Sequence, residues 1–494
     1  MTIAAIAALL AGAPLAAARA ETPPRAFTLV AVGDVMVHES IAWVADQHAP
    51  GRNTHDFSPM FASIEPWISG ADLAICQMEM TLSPTNTGLS YYPRFIVPHE
   101  LADAVAGAGF DACSTASNHS VDGGVAGLED TIALLEAAGV ATTGTARSAE
   151  ERLPNLYVVN GVTVGHLAYT WGLNGLRAPE PWMVNVIDAD AILADARWAR
   201  EQGAEFVIVS IHWGEEYQAR PTFHQTTLAE TLTASPDVDL ILGHHVHVVQ
   251  PIARVNGKVV VYGMSNFISN IRGTPEGRTG AEDGIVVHLE VAEQGDGAFA
   301  VDRVEYTPFW IDPATKEVLP IGQSLLTGRG HPATLQQSWQ RTVGRVDMLG
   351  GSGAVPTADP WPEVSCRGKA ATILGTTGDD SLTGTDGDDV IVARGGNDSI
   401  RGGGGHDLIC GGAGNDIAWG EDGSDLLLGG PGNDLLIGDT GNDILWGEEG
   451  DDVLVGGEGA DLLIGGPDDD FLRGGAGGDI FSGGDGADRT EPDR

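Results

Sequence analysis

The chain has 494 residues, 69 of them glycine, and carries a formal net charge of −43 at pH 7. That length suits two or three domains. So acidic a surface repels nucleic acid and anionic lipid and attracts divalent cations, which excludes a nucleic-acid-binding role.

In chain order, residues 1–20 read as a signal peptide. An apolar run closes on Ala18-Arg19-Ala20, an A-x-A cleavage pattern that leaves Glu21 at the mature start. The alternative is an uncleaved anchor; the short run and its small-residue end favour cleavage. No later segment reaches the roughly 18 consecutive apolar residues of a membrane helix. The mature chain is therefore expected to lack a transmembrane span and to be secreted or held at the cell surface or envelope. Four cysteines in an exported chain invite pairing. Cys366 and Cys410 are expected to join, whereas Cys76 and Cys113 fit either a disulfide or buried free thiols.

Between residues 27 and 312, apolar strand-like runs alternate with helical stretches. The runs are Phe27–Val32, Ala71–Cys76, Asp111–Thr115, Val162–Tyr169, Phe206–Ile211, Leu240–Leu242 and Val259–Tyr262. Helices are predicted at Leu101–Ala108 and at Gly127–Ala138, where Gly139 supplies a C-terminal stop. This alternation predicts an α/β domain with much parallel sheet, whose sites gather where strands end. Five strand ends carry such chemistry: Gly33-Asp34, Gln77-Met78-Glu79, Ser117-Asn118-His119, His212-Trp213-Gly214 and Gly243-His244-His245-Val246-His247. Singly, a Gly-Asp pair reads as a turn and Asn-His as a helix cap. Together, carboxylates, an amide and clustered imidazoles make a donor set for two divalent metals.

Residues 313–365 read as an irregular extension, with a short helix near Thr334–Val346 and a Gly/Pro-rich linker at Gly350–Pro362. From Asp380 an aspartate then returns every nine residues, at Asp389, Asp398, Asp407, Asp416, Asp425, Asp434, Asp443, Asp452, Asp461, Asp470, Asp479 and Asp488. A large apolar residue follows two positions later in most repeats, as at Leu382, Ile400, Leu427, Leu445 and Leu463. Glycines permit the left-handed turns and the close approach of carbonyls to a cation. Aspartate supplies the hard oxygen that calcium prefers. The apolar residue points into a narrow shared core, which one repeat alone cannot bury. A flexible Gly/Asp-rich tail would have no reason to keep this register.

The repeats resemble the calcium-binding nonapeptides of RTX (hemolysin-type) proteins, G-G-x-G-x-D-x-U-x. The resemblance implies Ca²⁺ at Asp380 through Asp479 and an all-β parallel β-roll over residues 367–488. The body resembles the CapA family of poly-γ-glutamate capsule-synthesis proteins, in the order Gly-Asp, x-x-Glu, Asn-His, His-Trp-Gly-x-Glu and Gly-x-His-x-His. The likeness continues through Tyr92-Pro93-Arg94-Phe95 and Ser265-Asn266-Phe267. It implies a layered, metallophosphoesterase-like αββα sandwich over residues 27–312 and a metal-dependent hydrolase. Two transition metals of the Mn, Fe or Zn type would sit on Asp34, Glu79, Asn118, His212, His245 and His247. His119 would be the proton donor, with Glu216 and Asn266 lining the site. The sequence departs from the usual Asp-x-His at Asp34-Val35-Met36, with His38 two residues further on. The implied role is capsule biosynthesis or attachment, with a cell-envelope or capsular polymer as partner. A secreted nucleotidase-like phosphoesterase and a non-catalytic, calcium-stabilised surface binding protein remain the alternatives.

Overall fold

The structure, a computed structural model, describes residues 25–491 apart from 50, 52, 273–278, 296, 327–328, 357–364, 368 and 375–378. The expected signal peptide lies outside the described residues.

Two sheets form the body. In the first, Ala26–Val35, Leu73–Met78, Ala112–Ser114 and Ala141–Thr143 run parallel, and Asp283–Glu293, Phe299–Ile311 and Val318–Pro320 continue it antiparallel. In the second, Lys258–Val261, Leu240–His244, Phe206–His212 and Val162–Thr170 are parallel. Antiparallel strands Ile252–Val255 and Asn155–Val159 close its two edges. Alternation along the first strand divides its side chains between two cores. Leu29 and Ala31 face the second sheet, among Phe206, Ile208, Leu240 and Leu242. Val30 and Val32 face the opposite way, onto the helices at Glu39–His48 and Glu100–Gly107. A third core packs the outer face of the second sheet against helices Ala189–Glu201 and Phe223–Thr233. The result is a four-layer αββα sandwich.

Cys76 and Cys113 lie directly opposite each other on adjacent parallel strands and are joined, with 4.4 Å between their Cα atoms. Cys366 and Cys410 are also joined, at a Cα separation of 5.8 Å.

The tail coils into two parallel seven-stranded sheets in which each strand pairs with the one 18 residues on, as Ile391 does with Ile409. Its interior is one apolar residue per repeat: Ile391, Ile400, Ile409, Ala418, Leu427, Leu436, Leu445, Leu454, Leu463 and Leu472. A second periodicity appears only in three dimensions. On alternate repeats the outward positions are apolar as well, including Val390, Val392, Leu426, Leu428, Ile444 and Trp446. They pack against Ile321, Leu335 and Trp339 of helices Ile321–Leu326 and Pro332–Val346, with the Trp339 and Trp446 rings 4.8 Å apart.

The Pro332–Val346 helix grips the body on its other side. Ser338 Oγ donates to Asp283 Oδ1 at 2.6 Å, and Arg341 makes two hydrogen bonds to the same buried carboxylate. Within the stretch read as a linker, Ala354–Pro356 is a strand pairing in parallel with Phe299–Ile311. The roll is therefore docked on the body. Trp446→Ala should lower the melting temperature of the calcium-loaded full chain, because truncating a buried tryptophan typically costs about 3–5 kcal/mol. An unchanged melting temperature would mean that this seam does not hold in solution.

Candidate metal centre

Crossing loops bring the strand ends together, and two glycines allow the crossing. A Cβ on Gly33 would lie 1.9 Å from the Ser265 carbonyl oxygen, and one on Gly243 would lie 2.1 Å from that of Tyr262. The Asp34 backbone N–H donates to that Ser265 carbonyl at 3.0 Å, which ties the first strand to the Ser265-Asn266 turn. His245 and His247 follow their strand in left-handed conformations, φ 86° and 55°, a strained backbone that concentrates at functional sites.

All six expected ligands meet in one buried cluster. His212 Nε2 lies 2.8 Å from Asn118 Oδ1 and 3.6 Å from Glu79 Oε1. Asp34 Oδ2 accepts from the His245 N–H at 3.0 Å and lies 3.4 Å from His247 Nδ1. Glu79, His245 and His247 present ligand atoms within 4.8 Å of one another, so they join the two halves.

The donor chemistry fits divalent cations. Asp34 Oδ1, both Glu79 carboxylate oxygens, His212 Nδ1 and His245 Nδ1 are buried without a hydrogen-bond partner, and leaving such groups unpaired is costly. Burial, with Asp34 beside it, pushes the Glu79 carboxyl well above the usual carboxylate range. Burial also pushes His245 down to about 3, with His247 adding to the effect. His247 itself, despite its burial, is carried up to about 9 by Glu79 and Asp34. Two carboxylates among clustered imidazoles offer negative charge and lone pairs to a cation.

His119 stands beside the cluster. Its Nδ1 lies 2.6 Å from Asp122 Oδ2, which also accepts from the Phe95 N–H at 2.7 Å, and the Phe95 ring packs edge-on at 4.8 Å. Asn266, expected to line the site, places Oδ1 2.9 Å from His247 Nδ1. Glu216 is exposed on the loop after His212, and its charge reaches Glu79 and His247. His38 Nδ1 accepts from the Asn270 N–H at 3.3 Å, and its ring packs edge-on against Phe95 at 5.6 Å.

Sequence reasoning passed over three residues here. His244 puts Nδ1 3.7 Å from Asp34 Oδ1, with both ring nitrogens buried and unpartnered; its signal was its place in the His-His-x-His run. Asp122 lies three residues past His119 in sequence, a spacing that by itself assigned it no role. Asn174 carried no signal, since its partners are more than 50 residues away.

In the roll, each repeat aspartate from Asp398 to Asp488 turns Oδ1 to the backbone N–H of the aspartate 18 residues earlier, at 2.7–3.1 Å. From Asp398 to Asp452, and at Asp470, the other oxygen, Oδ2, is buried and has no hydrogen-bond partner. A Cβ on Gly402 would lie 2.4 Å from Asp407 Oδ2 and 2.7 Å from the Gly420 carbonyl, so two hard oxygens converge where only glycine fits. Such oxygens suit calcium.

An αββα sandwich with a histidine–carboxylate cluster at its strand ends, followed by a glycine–aspartate roll, defines an α/β domain with a candidate metal centre joined to a calcium-type repeat module. Residues 28–271 match the family model of the bacterial capsule synthesis protein PGA_cap, and four overlapping segments within residues 374–489 match the RTX calcium-binding nonapeptide repeat. Over residues 28–271 the chain is thus CapA-like, and it carries C-terminal RTX calcium-binding repeats. It is 27% identical over 296 residues to the PGA biosynthesis protein CapA of Bacillus subtilis, covering 58% of this chain and 74% of that protein. It is 25% identical over 284 residues to the capsule biosynthesis protein CapA of Bacillus anthracis, covering 54% of this chain and 64% of that one. Among solved structures, the calcineurin-like phosphoesterase YfkN of Bacillus subtilis aligns at 16% identity and a TM-score of 0.36, over 65% of this chain and 98% of that one. The 5'-nucleotidase precursor of Thermus thermophilus aligns at the same identity and TM-score, over 63% and 59%. No helix among the described residues is long and apolar enough to cross a membrane.

Proposed function

We propose that the protein is an exported, calcium-stabilised metallohydrolase of the phosphoesterase type, acting in the biosynthesis or attachment of a capsular polymer such as poly-γ-glutamate. In this reading residues 27–312 carry the chemistry, residues 313–365 bracket body and tail, and residues 367–488 bind calcium outside the cytoplasm. One observation carries it: six donor residues from five strand ends converge in a buried cluster in which Asp34 Oδ1, both Glu79 oxygens, His212 Nδ1 and His245 Nδ1 lack hydrogen-bond partners. Relatives named for capsule and PGA biosynthesis support the polymer.

Asp34, Glu79, Asn118, His212, His245 and His247 would hold the ions. Two Mn, Fe or Zn-type ions supply Lewis-acid polarisation and neutralise developing phosphoryl charge. The protein does the rest. Asp122 accepts from His119 Nδ1, which holds the ring and leaves Nε2 to exchange a proton with a departing oxygen. Phe95 walls the ring on one side and keeps it from turning. Asn266 orients His247, as partners behind metal-binding histidines do.

Phosphate release from a panel of mono- and diesters, with manganese and calcium present, tests the reading. His119→Ala should retain the metal and lose about 10²–10⁴-fold in turnover, the usual contribution of a proton donor. No turnover on any ester despite full metal occupancy would leave the site a binding site and remove the hydrolase.

A further inference from the structure

The Trp171–Gly175 turn follows the Val162–Thr170 strand and leans over the cluster. The Trp171 N–H donates to the His212 carbonyl at 2.9 Å, and the half-exposed Trp171 ring lies 5.5 Å from that of His245. Asn174 sits at the tip in the left-handed region, φ 49°, which asparagine tolerates better than most residues. Its Oδ1 lies 3.3 Å from Asn118 Nδ2, and its Nδ2 lies 3.4 Å from His119 Nε2.

We propose that Asn174 is a positioning residue that orients both the metal-binding amide of Asn118 and the proton-donating ring of His119. The inference rests on the metal-site reading above and deepens it. Hydrogen-bond direction supplies the argument. Asp122 Oδ2 pairs with His119 Nδ1 at 2.6 Å, so Nε2 is the ring nitrogen that faces Asn174. Asn174 Nδ2 faces that nitrogen, and Asn174 Oδ1 accepts from the Asn118 N–H. Asn118 is thereby turned with its Oδ1 toward His212 and Glu79, the side on which a cation needs an oxygen. Without Asn174 the Asn118 amide is free to flip and present its NH₂, which repels a cation.

Manganese(II) titration of the metal-stripped, calcium-loaded full chain tests this with two variants that suit the left-handed backbone. Asn174→Gly removes the amide without straining φ. It should weaken the weaker manganese site about 10–100-fold, the usual loss when a partner behind a ligand is removed. Asn174→Asp keeps an oxygen for Asn118 Nδ2 and should restore manganese affinity. It has no N–H for His119 Nε2, so turnover should stay low and its pH profile should move. Wild-type affinity in the Gly variant, or no recovery in the Asp variant, overturns the role of Asn174 and leaves the metal site standing. Failure of the wild-type chain to take up manganese overturns the metal-site reading and this inference together.

Discussion

Stripping calcium from the full chain at pH 8 is expected to melt the roll while the αββα body stays folded. The cause is the aspartate ladder. From Asp398 to Asp470 every repeat carboxylate is almost fully buried with another aspartate stacked 18 residues away, and from Asp398 to Asp452 and at Asp470 Oδ2 has no hydrogen-bond partner. Burial first, then the stacked neighbours, pushes Asp416 and Asp425 up to about 6, Asp434, Asp443 and Asp470 to about 7, and Asp452 to about 8.

The sign follows from linkage. A carboxyl whose folded value lies above its ordinary 3.8 favours the folded state below that pH and loses the benefit as pH rises through the folded value. The calcium-free roll should therefore be most stable near pH 4 and least stable near pH 8. Calcium reverses the loss by giving each ionised oxygen a partner, and its binding free energy becomes folding free energy. Circular dichroism in chelator should lose β-structure at pH 8, keep more at pH 4, and recover at pH 8 with millimolar calcium. The seam should open in parallel, exposing Trp339 and Trp446 and shifting tryptophan emission to the red. A spectrum unmoved by chelator at pH 8 would refute the calcium dependence. A calcium-free roll steadier at pH 8 than at pH 4 would refute the role of the aspartates.

The second large effect belongs to the proposed metal centre of the body. His245→Gly and His247→Gly should each strip transition metal from the calcium-loaded chain and abolish ester hydrolysis. Each change takes an imidazole from the group shared with Glu79, and the activated water depends on the metal. Glycine suits the left-handed φ at both positions, so the strands and cores should remain. Elemental analysis and circular dichroism on the same samples separate loss of ligand from loss of fold. Unchanged metal content in both variants would move the site elsewhere. His119→Ala provides the contrast, with metal kept and turnover reduced.

The sequence by itself determined the features whose chemistry is local or periodic. A nine-residue return of aspartate and an apolar partner specifies a roll, because each repeat adopts the same turn and strand and buries the same position. Apolar runs ending in Asp34, Glu79, Asn118, His212 and His245 announced strand ends rich in donors, because strands must be apolar inside and reactive groups collect where they stop. Tertiary structure alone decided what depends on long-range approach. The pairing of Cys76 with Cys113 follows from the adjacency of two strands 37 residues apart in sequence. The apolar face on alternate repeats has a purpose only because the helices bearing Ile321, Leu335 and Trp339 lie against it. The Ala354–Pro356 segment, Gly/Pro-rich by composition, becomes a strand because the Phe299–Ile311 strand offers an edge. His244 and Asn174 join the histidine–carboxylate cluster through partners brought near by the crossing loops. Local pattern tells a residue which conformation and which face to take, whereas its partner across the fold depends on how the chain closes, and no short window of sequence contains that.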